Sequence, residues 1–278
     1  MSQSKESKES KESKESKESK GSKESKESKG SKESKRSKES KGPKKGPKKG
    51  SKKETEKNIS LPRSKSPKRG RNNSRMIPSN ATPDRPSVLL DLDQTCISAE
   101  PEEEYDWKKN KKKATKFEFV DMDGYYIVFA RPGLNDFLDY LFKNFNVSVW
   151  TAGSKDYALF IIDKLIIADK PERELDWTFF SYHCDNSKHH NKRSKCLKML
   201  WDVYNIEGYT DKNTVILDDY DEVYKTQPGN CIKAPPFEFT DEGSENDTFL
   251  KELTPKLDVM LKAIKDGKES PASFVNDT

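Results

Sequence analysis

The run Val88-Leu89-Leu90-Asp91-Leu92-Asp93-Gln94-Thr95 restricts the fold more than any other stretch of this chain. Three apolar residues lead straight into an acid, as in a strand buried on both faces of a parallel sheet. Side chains at i and i+2 of an extended segment point the same way, so Asp91 and Asp93 share one small volume. Like charges that close repel unless a cation lies between them or one is protonated. In open α/β sheets ligands bind at the carboxyl ends of the strands, where Asp91 falls. The stretch reads as half of a metal site.

Two further runs have the same shape. In Phe145-Asn146-Val147-Ser148-Val149-Trp150-Thr151-Ala152-Gly153-Ser154, an alternating segment ends in a hydroxyl and Ser154 is placed to cap a helix. Tyr157, Phe160, Ile161 and Leu165 give that helix an apolar stripe. In Asn213-Thr214-Val215-Ile216-Leu217-Asp218-Asp219 an apolar run again ends in paired carboxylates. Helical segments separate the three runs, as parallel crossovers require, so all three strand ends are expected on one edge of the sheet. A lysine belongs there too: Lys192, Lys195 and Lys198 are candidates, Lys195 standing at the head of a helical pattern with Leu197, Leu200, Trp201 and Tyr204.

Between these units the reading is coarser. Residues 100–116, acidic and then basic, are read as a loop. Asp123-Gly124, flanked by alternating and aromatic residues, predicts a β-hairpin. Arg131-Pro132-Gly133 ends it, and Leu134, Phe137, Leu138, Leu141 and Phe142 predict a helix. Residues 249–264 read as two closing helices, the second with Thr254 as N-cap and Pro255 at its first position. Residues 266–278 read as a frayed end. His183, Cys184, His189 and His190 invite a zinc reading, but their spacing gives no closed four-ligand set.

Oxygen-only ligation by clustered carboxylates points to Mg²⁺. Such an ion beside a lysine and a threonine is a receptor for a phosphoryl group. A carboxylate at that point can attack phosphorus, and a second acid two residues on can protonate the leaving oxygen.

With those residues in place, the chain resembles the haloacid dehalogenase superfamily through Asp91-Leu92-Asp93-Gln94-Thr95. Arg131-Pro132-Gly133-Leu134, Trp150-Thr151-Ala152-Gly153, Lys195-Cys196-Leu197 and Ile216-Leu217-Asp218-Asp219 narrow the resemblance to the small C-terminal-domain phosphatases and their TFIIF-associating relatives. The resemblance implies an α/β, Rossmann-like fold, with a central parallel sheet flanked by helices and a small β-hairpin insertion. It implies a Mg²⁺-dependent protein serine/threonine phosphatase acting on phosphoserine of the RNA polymerase II C-terminal-domain type. Asp91 would be the nucleophile and Asp93 the general acid/base. Thr151 and Lys195 would bind phosphate. Asp91, the Asp93 carbonyl and Asp219, with Asp218 beside them, would hold the metal. Asp218-Asp219 departs from the Asp-Asn usual in the small phosphatases, although the wider superfamily also uses Asp-Asp. A catalytically silent scaffold on the same fold and a polynucleotide 3′-phosphatase are the alternatives.

The N-terminal third is of another kind. Residues 4–42 are thirteen Ser-Lys-Glu-type triplets, and residues 1–76 carry 27 Lys+Arg against 11 Asp+Glu. With almost no apolar side chains to bury, residues 1–76 are expected to be a disordered low-complexity tail. Its basic stretches within 43–75 suit contact with nucleic acid or another polyanion. Residues 77–87 read as a Pro-rich linker and 88–265 as the phosphatase-like domain. The four cysteines show no paired spacing, and no apolar run approaches the ~20 residues of a membrane-spanning helix. A phosphorylated protein as substrate, no membrane association, and a nuclear or cytoplasmic location are therefore expected.

Overall fold

β1 (Ser87–Leu90) is the middle strand of a five-stranded sheet in a computed structural model that describes residues 76–82 and 84–277. Every β1 residue is buried, as a strand with neighbours on both sides and layers on both faces must be. β5 (Asn146–Trp150) and β7 (Thr214–Asp218) flank it in parallel, with Leu90 level with Val149 and Leu217. β6 (Thr178–Phe179) and β8 (Cys231–Lys233) complete the order β6-β5-β1-β7-β8, all parallel. The expected α/β architecture with one shared carboxyl edge is present.

Alternation along the strands divides the core in two. Val88, Leu90, Val147, Val149, Val215 and Leu217 pack with Phe137 and Leu138 of α2 (Leu134–Asn144), Ile161 of α3 (Lys155–Ile161), and Leu253 and Leu257 of α6 (Phe249–Lys265). Leu89, Trp150 and Ile216 face the opposite way, onto Cys184 of α4 (Ser181–Asn191), Leu197, Leu200 and Val223 of α5 (Asp221–Thr226).

The insertion is a second sheet. β3 (Phe119–Asp121) and β4 (Tyr126–Ala130) form the expected antiparallel hairpin. Its turn residues Asp123 and Gly124 have φ of 46° and 85°. The Tyr125 N–H closes the turn onto the Met122 carbonyl at 2.9 Å and the Met122 N–H donates to the Tyr126 carbonyl at 2.8 Å, a three-residue loop whose left-handed positions Asp-Gly tolerates. β4 also pairs with β2 (Ile97–Pro101), giving the order β2-β4-β3. Tyr105, Phe117, Phe129, Phe237 and Phe239 form a core of their own beneath it, Phe129 and Phe239 stacking with centroids 3.7 Å apart.

Several expectations need correction. Residues 100–116 are not all loop: they include the end of β2 and a helix, α1 (Trp107–Ala114). Asp106 accepts bonds from the backbone N–H of Lys108 (3.0 Å) and Lys109 (3.1 Å), and Lys111, Lys112 and Lys113 sit at the negative pole of the helix. Lysine is a good helix former, but this helix buries only Ala114, so no apolar stripe betrays it. The closing segment is one helix, not two. α6 runs through Pro255, with Thr254 donating from Oγ1 to the Leu250 carbonyl at 3.1 Å. The buried stripe Leu250, Leu253, Leu257, Met260 and Ala263 continues unbroken across the proline, and its burial outweighs the ~3 kcal/mol that an interior proline costs.

Residues 266–277 are also better tied than a frayed end. α7 (Ser273–Asn276) buries Val275, and Asn276 bridges edge strand β8, donating from Nδ2 to the Cys231 carbonyl and accepting from the Lys233 N–H. In the segment read as a linker, Ile77 pairs with Ile206, and the Thr82 N–H donates to Asn146 Oδ1 at 2.8 Å. The triplet repeat, the basic stretches within 43–75 and the polyanion contact expected of them lie outside the described residues. Among the described residues, no helix is long and apolar enough to cross a membrane.

Candidate active site

The carboxyl ends of β1, β5 and β7 deliver five of the six residues that the sequence singles out, Asp91, Asp93, Thr151, Asp218 and Asp219. Asp91 follows β1 directly, and its N–H continues the ladder to the Leu217 carbonyl at 3.0 Å. The chain then winds around the Leu92 carbonyl, which accepts from the N–H groups of Thr95, Cys96 and Ile97. Gln94 takes φ of 58° in this turn, and the turn carries Asp93 and Thr95 back toward the sheet edge.

Lys195 reaches this edge from the segment after α4. Its Nζ lies 2.6 Å from Asp91 Oδ1 and 2.8 Å from Asp218 Oδ2, and the lysine side chain is 5% exposed. Lys192 and Lys198 are exposed, and Lys198 pairs with Asp202, so of the three candidate lysines Lys195 reaches the acids. It holds a left-handed backbone, φ 48°, uncommon outside glycine. Gln227 supports that conformation from both sides, donating to the Lys195 carbonyl at 2.9 Å and accepting from the Leu197 N–H at 3.0 Å.

Asp218 uses Oδ2 for Lys195 and Oδ1 for the Tyr220 N–H, so both of its oxygens are engaged. Asp219 is more open. Thr95 Oγ1 donates to its Oδ1 at 3.1 Å and accepts its N–H at 3.0 Å, locking the first motif to the third. Beneath them Arg131 is fully buried. It donates to the carbonyls of Thr95 (3.1 Å) and Pro235 (3.0 Å), pairs with Asp247 at 2.8 Å, and lies 4.5 Å from the Phe249 ring centroid.

Asp93 takes a partner outside the trio of Asp91, Asp218 and Asp219, although the charges of Lys195 and Asp219 still act on it. Its Oδ1 accepts from the hydroxyl of Tyr157 in the first turn of α3, a residue that the sequence shows only as part of an apolar stripe. Thr151 is buried at the end of β5, its Oγ1 accepting from the Gly153 N–H at 2.9 Å, and Ser154 caps α3 as expected. The histidine-rich segment serves α4: His183 Nδ1 accepts from the Phe180 N–H at 2.9 Å, and Cys184 donates to the Thr151 carbonyl.

The electrostatics follow from burial. Burial pushes the Asp91 carboxyl well up, against the pull of Lys195, and pushes Asp218 up in the same way. Burial alone would lower Lys195, but the charges of Asp91 and Asp218 outweigh it and hold the ammonium above its ordinary value. Asp93 is also raised by burial, with the Tyr157 hydrogen bond opposing. The Cys96 thiol is pushed up to about 12 by burial, so it stays protonated.

Carboxylate oxygens of Asp91, Asp218 and Asp219 lie within 4.8 Å of one another. Among the described residues Lys195 is the one ammonium paired with carboxylates of the trio, while Lys233 donates to the Asp219 backbone carbonyl and pairs with Asp221, so fully ionised acids would leave the cluster net negative. An all-oxygen set with that imbalance fits a hard divalent cation. The Asp93 carboxylate is not in this trio, and the part that the family resemblance implies for Asp93 toward the ion is that of its carbonyl.

A family model described as NLI interacting factor-like phosphatase matches residues 86–268. Proteins carrying the provisional name CTD phosphatase-like protein 355R are similar in two viruses. The one from Invertebrate iridescent virus 6 is 44% identical over 171 residues, 60% of this chain and 94% of that protein. The one from Invertebrate iridescent virus 3 is 42% identical over 177 residues, 62% of this chain and 94% of that protein. Among solved structures, the fission yeast RNA polymerase II CTD phosphatase Fcp1 bound to beryllium fluoride matches at 22% identity with a TM-score of 0.42, over 70% of this chain and 54% of that chain. With its model spanning the whole two-sheet body described above, the chain belongs to the NLI interacting factor-like phosphatase family.

Proposed function

We propose that the chain is a Mg²⁺-dependent protein serine/threonine phosphatase working through an aspartyl-phosphate on Asp91, with phosphoserine of the RNA polymerase II C-terminal-domain type as substrate. The observation that carries this reading is the buried Lys195 held between Asp91 and Asp218 at the strand ends, with Asp219 fastened alongside by Thr95. The names of the viral relatives support the substrate class.

Lys195 occupies Asp91 Oδ1, which leaves Oδ2 to attack phosphorus. The same ammonium, with the Thr151 hydroxyl, meets the charge of the phosphoryl oxygens, and in a water-poor site such contacts act strongly. Asp93, raised by burial, gives its proton to the departing serine oxygen. It then takes a proton from the water that hydrolyses the acyl phosphate, returning Asp91 to carboxylate. Asp91, Asp219 and the Asp93 carbonyl would hold Mg²⁺, which when bound supplies positive charge to the phosphoryl group.

The test is hydrolysis of para-nitrophenyl phosphate by the full chain with Mg²⁺ or EDTA, beside Asp91→Asn. Turnover that requires Mg²⁺ and vanishes in the variant supports the reading. A folded wild-type protein without turnover shifts the assignment to a catalytically silent binding module.

A further inference from the structure

Tyr157 has a place that the apolar stripe of α3 does not require. Its hydroxyl donates to Asp93 Oδ1. Its ring crosses Gly153 so closely that a Cβ there would lie 2.7 Å from Tyr157 Cδ1. On its other side the ring meets Tyr126, the first residue of β4, edge-on with centroids 5.4 Å apart. The Gly153 turn and β4 thus hold one phenol against one acid.

We propose that Tyr157 is a positioning residue for Asp93: by taking Oδ1, it leaves the acid's proton on Oδ2 and aims it at the leaving oxygen. The proposal rests on the phosphatase reading above. In the first half-reaction the bond between Asp91 Oδ2 and phosphorus forms while the bond from phosphorus to the serine oxygen breaks. The proton of Asp93 Oδ2 passes to that serine oxygen. In the second, a water oxygen bonds to phosphorus, its proton goes to Asp93 Oδ2, and the acyl-phosphate bond breaks to restore Asp91.

Between the two halves Asp93 is a carboxylate, and a hydrogen bond to a charged acceptor is stronger than one to a neutral acid. The Tyr157 contact therefore strengthens as the leaving group departs, which is the condition for helping the rate rather than only the ground state. A purely structural tyrosine would instead affect every substrate alike.

Leaving groups separate the two. A serine alkoxide needs a proton to depart, and a nitrophenolate does not. The experiment measures kcat and KM of the full-length wild type, Tyr157→Phe, Asp93→Asn and the double variant with Mg²⁺, on a phosphoserine peptide and on para-nitrophenyl phosphate.

The expected result is a peptide kcat loss in Tyr157→Phe at least about tenfold greater than the loss on the aryl ester, part of what a general acid contributes, with peptide KM within about twofold. In the Asp93→Asn background the tyrosine substitution has no further effect, the non-additivity of a residue acting through its neighbour. Equal losses on both esters, or additive losses in the double variant, overturn the proposal. Should Tyr157→Phe fail to fold, Gly153→Ala pushes the ring off Asp93 and should reproduce the peptide-selective loss. Any disturbance of Thr151 by that methyl group lowers both esters together and leaves their ratio alone. Wild-type protein inactive on both esters overturns the phosphatase reading and the role of Tyr157 with it, whereas an active wild type with equal losses overturns that role alone.

Discussion

Asp91 and Lys195 form a 2.6 Å ion pair in which the aspartate side chain is 8% and the lysine side chain 5% exposed. Removing one partner of a buried pair strands the other's charge, typically at a cost of 3–5 kcal/mol. Here Lys195 serves two acids, Asp91 and Asp218, so the loss should stand at the upper end. Lys195→Met measured in EDTA by urea unfolding is expected to lose about 4–5 kcal/mol. A loss below about 1 kcal/mol, the scale of an exposed pair, would show that the acids re-protonate at little cost.

Metal addition should act in the opposite direction. A ligand that binds only the folded state stabilises it by about 2.7 kcal/mol at a hundredfold excess over Kd. Mg²⁺ is therefore expected to raise the melting temperature of the wild type, and EDTA to reverse the shift. Asp219→Ala, which removes the most open of the three clustered carboxylates, should abolish most of it. A full shift in that variant would place the ion elsewhere.

Arg131 and Asp247 form the foundation of the site. The guanidinium is fully buried and holds the Thr95 carbonyl, and Thr95 holds Asp219. Asp247→Ala leaves that cation short of its counter-charge and should cost about 3 kcal/mol. It should also raise the Mg²⁺ concentration needed for half-maximal thermal stabilisation, since the Thr95–Asp219 latch loosens. An unchanged Mg²⁺ response would separate the foundation from the metal trio.

His183 supplies a pH dependence remote from the acids. Burial lowers its pKa, and the bond that its Nδ1 accepts from the Phe180 N–H requires that nitrogen to be unprotonated. The unfolded chain then binds a proton more readily than the folded one, so this contribution to stability is full above about pH 6.5 and is lost as pH falls through the lowered folded value. The slope should not exceed about 1.4 kcal/mol per pH unit, the value for one proton. Urea titrations of wild type and His183→Gln across about pH 5 to 7.5 should differ by that slope. Parallel curves would count against it.

The resemblance was legible in short motifs because each lies within one strand and its turn. Residues 88–95, 145–154 and 213–219 announce themselves by apolar runs or alternation ending in acid or hydroxyl, and crossover rules bring their ends together. The hairpin was equally local, since Asp123-Gly124 encodes its own backbone conformation. Helix α1 was hidden for the converse reason: its stability comes from a cap and charges, with a single buried alanine.

The sequence by itself therefore determined the parallel sheet, its chemical edge and the acids Asp91, Asp93, Asp218 and Asp219. Only the tertiary structure decided which lysine serves them, because the patch holds several and burial beside two acids selects Lys195. It alone joined Tyr157 to Asp93 across 64 residues and Arg131 to Asp247 across 116. Periodicity reports which face of an element is apolar; it carries no information about which distant polar atom a side chain on that face will meet. That partnership is set by packing, where a glycine at 153 and a ring at 126 leave one place for a phenol and one acid for it to bind.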